Sequence, residues 1–268
     1  MGTIHVGDER TAYLPDAIYA ALDSSDALAV ECDTTDFEER AATDAELAAQ
    51  ISALYINADN TPTKDLLDEE VYNKALKLLK ATGTYNVTME VMKPFLWSQT
   101  IDNFYLDLPY GLSSDRGVDI QLMEHAKEKG IELREIESVL FQMEMLSGFS
   151  TELQSMLLEA SLEVSAAESC AESRKLFEMW CAGDEAALRE LLNEEVTDLT
   201  EEELKLYEEY QKAMHTDRND AMLKVAIEYL ESGDTVFYAV GLAHLLQGNG
   251  LVDALRAAGY TVEAITYA

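Results

Sequence analysis

At 268 residues with 48% hydrophobic content, the chain can bury one sizeable core. Its 52 acidic residues against 19 Lys plus Arg, net −33, make a surface that repels nucleic acid and anionic membranes. Three cysteines without a C-x-x-C pair argue against a thiolate metal cluster, and no apolar run reaches the roughly 18 residues of a membrane-inserting helix.

The chain opens on Gly2-Thr3-Ile4-His5, a G-x-x-H at what reads as the end of a strand over residues 2–6 whose beginning lies upstream, with any export signal. A helix follows over residues 14–22, with Pro15 and Asp16 in its first turn. The apolar run 27–32 is a second strand, ending in acids at Glu31, Asp33 and Asp36. Thr43 and Glu46 have capping-box spacing and open a helix to about Ile56. Residues 69–82 carry Val71, Ala75, Leu78 and Leu79 at helical spacing before Gly83, and residues 89–107 read as a buried helix. After a loop at 109–112, a helix over 118–129 stops at Gly130, and residues 131–136 make a third strand with Glu137 at its carboxyl end.

From residue 138 the pattern is helical: 138–146, 151–181, 184–193, 200–215 with a Thr200–Glu203 capping box, and 218–231 opened by Arg218-Asn219. Cys170 and Cys181 then lie about 16 Å apart along one helix, too far for a disulfide. The run 235–240 is a buried fourth strand, followed by a second G-x-x-H, Gly241 to His244, then a helix over 251–258 and a fifth strand over 261–266. The expected architecture is a single α/β domain. A central, mostly parallel or mixed sheet of about five strands is covered on one side by helical insertions at about 37–107 and 138–216.

Parallel strands bring their carboxyl ends to one edge, where ligands bind in open α/β sheets. That would gather His5, Glu31, Glu137 and His244. Two imidazoles and a carboxylate suit zinc, and also manganese or cobalt, which would acidify a water for hydrolysis. Glycines at Gly2 and Gly241 would let the backbone turn tightly beneath such ligands. Each residue has a plainer alternative. Glu31 fits a buried salt bridge, Glu137 a helix N-terminal charge, Arg218 an ion pair and Asn219 an N-cap, while His125 and His215 read as structural. There is no H-E-x-x-H, P-loop, G-x-S-x-G or G-x-G-x-x-G, so serine and nucleotide chemistry have no support.

The stretches GTIHVG, ALAVECD, RGVDIQLMEHAKEKGIELREIES and RNDAM…GDTVFYAVGLAHLL…GLVDALRAAGYTVEAI together resemble the TraB/GumN family, which includes the Tiki-like metalloproteases. The resemblance implies a fold related to the erythromycin esterase and ChaN-like proteins. It also implies a divalent-metal site (Mn, Co or Zn) on His5, Glu31 and His244, with Arg218 and Asn219 matching the family's R-N pair at the same pocket. Family members usually carry a full strand before the first G-x-x-H; here Met1 directly precedes Gly2, so His5 is expected on a frayed strand. The expected partner is a peptide or small-molecule substrate and the expected activity hydrolysis, with Glu31 as third ligand or general base, Arg218 and Asn219 positioning substrate, and Glu137 beside them. A non-catalytic peptide-binding protein of the pheromone-sequestering kind is the alternative. By analogy with bacterial relatives, an extracytoplasmic, exported or lipid-anchored home is expected.

Overall fold

The apolar run at residues 27–30 is the centre of the molecule. In a computed structural model of the chain, which describes residues 1–106 and 112–265, this run is β2 (Ala27–Val30), and none of its four side chains is more than 2% exposed. It pairs in parallel with β4 (Val236–Gly241) on one side and β3 (Glu132–Glu135) on the other. β1 (Gly2–Thr3) pairs in parallel with the far edge of β4, so the four-stranded sheet runs β1-β4-β2-β3. A strand flanked on both sides and covered on both faces must be apolar throughout, as β2 is. β3 is an edge strand and tolerates charge: Arg134 pairs with Glu132 and with Asp234.

β1 is short but held. The Gly2 and Thr3 register with Val240 and Gly241 is continued by Met1 N donating to Tyr238 O (2.6 Å) and Val240 N–H donating to Met1 O, while Trp180 Nε1 donates to Gly2 O. The frayed strand expected there is not what the residues form.

The fifth strand is absent over residues 261–265; Thr266 lies outside the described residues. The sheet ends at β1, whose two residues offer little ladder to extend. The backbone there is drawn instead toward α14 (Leu251–Ala257), with Tyr260 N–H donating to Leu255 O and Arg256 to Val262 O.

The helices confirm most of the pattern and shift some of its boundaries. α1 (Asp16–Asp23) starts after Pro15. Thr43 does not open a helix: it ends α2 (Phe37–Thr43), and Asp44 caps α3 (Ala45–Tyr55) by accepting from the Glu46 and Leu47 N–H groups. α4 (Glu69–Thr82) closes on Gly83 at φ 77°, a left-handed conformation that favours glycine. The expected helix over 89–107 is a 3-10 turn (Val87–Val91) followed by α5 (Pro94–Leu106). Proline, lacking an N–H, opens a helix rather than continuing one. Asp107 and loop residues 109–111 lie outside the described residues.

α6 (Val118–Lys129) and α7 (Val139–Ser147) follow as expected. The helix expected over 151–181 is two, α8 (Thr151–Glu163) and α9 (Ala166–Ala182), because Ser165 and Glu168 form a full capping box that starts a new helix. α10 (Glu185–Leu192) and α11 (Glu201–Gln211) complete the second insertion, the latter opened by the Thr200–Glu203 capping box. α5 packs on α8 and α9, and Leu79, Trp97, Ile101 and Leu158 build a second core there, separate from the cluster around Leu22, Leu28, Leu122 and Phe177 beside the sheet. The insertions thus cover one side of an α/β core. Cys32, Cys170 and Cys181 are free thiols. No helix of the described residues is long and apolar enough to cross a membrane.

Candidate functional site

Glu31 is the first residue beyond β2, and everything at the carboxyl edge of the sheet is arranged about it. Gly241, the last residue of β4, donates its N–H to Glu31 Oε1 at 2.6 Å. The other oxygen accepts from Arg218 Nη2 at 2.5 Å and from Gln142 Nε2 at 3.2 Å. Arg218 lies in the first turn of α12 (Asp217–Ser232), the helix that feeds β4. It also grips Glu137, two residues past β3, through Nε (2.9 Å) and Nη2 (2.8 Å). Gln142, from α7, donates to Glu137 as well, at 3.1 Å. The Arg218 side chain is only 6% exposed, and a buried guanidinium of this kind needs carboxylate partners. Two carboxylates against one guanidinium leave one negative charge uncompensated within the cluster.

Burial alone would raise the Glu31 carboxyl; His244, Arg218 and the Gly241 N–H oppose it and hold the group below the usual carboxylate range. The next residue, Cys32, goes the other way. Burial, reinforced by the nearby carboxylates, pushes its thiol up to about 12, which removes it as a nucleophile.

The two histidines are each oriented through Nδ1. His244, on the short helix α13 (Leu242–Leu246) after β4, is buried and donates from Nδ1 to Asn219 Oδ1 at 2.7 Å. Its Nε2 stands 3.8 Å from Glu31 Oε1. Burial pushes its imidazole down to about 4, so it is neutral at neutral pH. His5 donates from Nδ1 to Asp119 Oδ2 at 3.2 Å, and this bond pushes its imidazole up to about 8. The His5 ring is 68% open to solvent, yet its Nε2 edge faces the cluster. A Cβ placed on Gly241 would lie 3.8 Å from both His5 Nε2 and His244 Cδ2, and 3.1 Å from Glu31 Oε1. Those distances limit the separation of the two ring edges to roughly twice 3.8 Å. Gly241 has φ −51° and ψ 140°, open to any residue. The glycine is favoured here by the closeness of Glu31 rather than by a tight turn.

All six residues expected at this edge meet here. Glu137 is the partner of a buried guanidinium, not a helix-end charge. Asn219 is not an N-cap, because α11 continues through a π-helical turn (Lys212–Thr216) straight into α12. Among the described residues, no three histidine, cysteine or carboxylate side chains already enclose a metal-sized space. Three contributors were not anticipated. Gln142 and Asp119 carry no signal of their own. His215 carried one: it precedes Arg218 and Asn219 by three and four residues, which places all three on one helix face.

No curated protein and no solved structure matches the chain. The model of the TraB/PrgY/gumN family matches residues 1–264, almost the full length, and the chain belongs to that family.

Proposed function

We propose that the protein is a divalent-metal-dependent hydrolase acting on peptides, with manganese, cobalt or zinc held by His5, His244 and Glu31. One observation carries the reading. Both histidines spend Nδ1 on an orienting partner, Asp119 or Asn219, and leave Nε2 without a hydrogen-bond partner among the described residues, on either side of Gly241. Metal-ligating histidines are commonly held in this way. The uncompensated negative charge of the cluster favours a cation in the same place. When bound, the metal would supply a water acidified toward neutral pH and polarise a carbonyl.

The chain's own groups have separable roles. His244 is kept neutral by burial, with a lone pair on Nε2. Glu31, held ionised, serves as third ligand or accepts a proton from water through Oε1. Arg218 helps keep Glu31 ionised, pairs with Glu137 and supplies positive charge near a developing oxyanion, and Asn219 fixes the His244 ring.

The alternative, a peptide-binding protein without turnover, is favoured by the engagement of both Glu31 oxygens within the protein. Two measurements decide. Calorimetric titration with Mn, Co and Zn should show one site per chain in the wild type and a large loss in His244→Ala. A peptide-library digest should show cleavage that His244→Ala abolishes. Absence of binding for all three metals sinks the metallohydrolase, while retained peptides that are never cut favour the binder.

A further inference from the structure

The Oε2 atoms of Glu31 and Glu137 are held by the same two side chains. One is the Arg218 guanidinium, whose Nη2 meets them at 2.5 and 2.8 Å. The other is neutral: Gln142 Nε2 lies 3.2 Å from Glu31 Oε2 and 3.1 Å from Glu137 Oε2. An amide nitrogen carries two hydrogens, one for each oxygen. Turned over, the amide would set its carbonyl oxygen against two carboxylates, so the chemistry fixes its orientation. Gln142 reaches this place through local structure. Ser138 caps α7 one residue past Glu137, accepting the Phe141 N–H, and Gln142 N–H donates to Ser138 O in the first turn. That turn brings residue 142 back beside the strand ends.

Burial makes the contact consequential. The Glu31 and Glu137 side chains are 13% and 5% exposed, so the protein must supply most of their hydrogen bonds. Arg218 is anchored on Glu137 through Nε and Nη2 and reaches Glu31 through Nη2 alone. The guanidinium by itself therefore fixes Glu31 at one point, and Gln142 adds the second. With Oε2 held from both donors, Oε1 is left to the Gly241 N–H, 3.8 Å from His244 Nε2. A lysine at position 142 could also donate to both carboxylates, but it would cancel the cluster's remaining negative charge. An amide orients without neutralising.

We propose that Gln142 is a positioning residue: its amide fixes the Glu31 carboxylate so that Oε1 faces His244, and it leaves the negative charge of the cluster intact. The orientation needs no metal, whereas its effect on cation binding rests on the metallohydrolase reading.

The test compares wild type, Gln142→Met and Ser138→Ala. Methionine keeps the length of the side chain and removes both donors. Ser138→Ala removes the cap of α7 but leaves the amide, and so controls for a loosened helix. Crystal structures of wild type and Gln142→Met, grown without added metal, read the Glu31 carboxylate directly. Calorimetric titrations with Mn, at a temperature where all three proteins are folded, read the consequence. In Gln142→Met the Glu31 carboxylate should turn, taking Oε1 off the Gly241 N–H, and Mn affinity should fall about tenfold. Ser138→Ala should bind Mn like the wild type. A Glu31 carboxylate that keeps its place in Gln142→Met overturns the proposal. So does an equal loss of Mn affinity in Ser138→Ala, which marks a structural role for α7. A turned carboxylate with unchanged Mn affinity upholds the positioning role and removes Glu31 as a ligand. If the wild type takes no Mn, the metallohydrolase reading falls, and the two crystal structures still decide the role of Gln142: a turned carboxylate upholds it and an unmoved one overturns it.

Discussion

Replacing Gly241 by alanine adds a single methyl group where the site is tightest. The residue's φ of −51° and ψ of 140° suit alanine, so the backbone carries no strain and the effect is steric. The methyl would stand 3.1 Å from Glu31 Oε1, an oxygen that already accepts the N–H of the same residue at 2.6 Å. Glu31 cannot retreat freely, because Arg218 and Gln142 hold its other oxygen. Some movement must follow, and the bond most exposed to it is the charge-assisted one from Gly241, worth about 1.5–3 kcal/mol. Overpacking costs of about 1–3 kcal/mol fall in the same range. We expect a net loss of about 2 kcal/mol, seen in a domain of this size as a melting temperature lower by about 4–8 °C. Mn affinity should fall at least tenfold, since the crowded Glu31 is the third ligand of the proposed site. Gly130→Ala is the matched control. Its φ of 72° strains alanine, but open space surrounds the Cβ, so it should cost about 1 kcal/mol and leave Mn binding alone. A Gly241→Ala protein that melts and binds Mn like the wild type would refute the reasoning.

Stability should fall as pH drops from about 6.5 to 4. Over that window the unfolded His244 takes up a proton that the buried ring, held near 4, refuses, for a loss of up to about 3 kcal/mol. Glu31, held below its ordinary range, extends the loss further into acid, and urea titrations at stepped pH would show it; a flat profile would contradict the burial argument. Arg218→Met should be the most damaging single change at the site, about 3–5 kcal/mol by urea titration, because it leaves two buried carboxylates without their cation. A loss below about 1 kcal/mol would show that water already screens the pair. Glu137→Gln keeps the shape but frees Arg218 to pair with Glu31 alone, so Mn affinity should drop with little loss of fold; an unchanged Mn isotherm would count against Glu31 as a ligand.

Much of the site was legible because a parallel sheet turns sequence order into position. His5, Glu31, Glu137 and His244 each follow a strand, and strands that point one way gather whatever follows them. Glu31 stood out for ending an otherwise apolar run. The strand-end arithmetic cannot see partners that arrive from helices. Gln142 lies on α7, Asp119 on α6 and His215 on the π-helical turn, and each reaches the edge through packing that depends on helix angle and length. The boundary errors have local causes. Asp44 outcompetes Thr43 as a cap because its carboxylate takes two N–H groups at once. Ser165 interrupts a helix that periodicity alone would continue. The fifth strand failed despite a local composition that favours one: residues 261–265 join no ladder, and Val262 O accepts from Arg256 of α14 instead.

The choice between hydrolase and binder turns on how firmly Glu31 is held. Arg218 meets Glu137 through both Nε and Nη2, at 2.9, 3.2 and 2.8 Å, and meets Glu31 through Nη2 alone. The guanidinium is therefore anchored on Glu137 and shared with Glu31. Releasing Glu31 from it would leave Arg218 paired and buried, avoiding the penalty of a stranded charge. The Gly241 N–H would still hold Oε1, the oxygen nearest His244 Nε2. On the reading proposed above, a cation beside His244 would face Glu31 Oε1, and release of Oε2 by the guanidinium would leave the carboxylate free to turn toward it. On this account Glu137 makes Glu31 available.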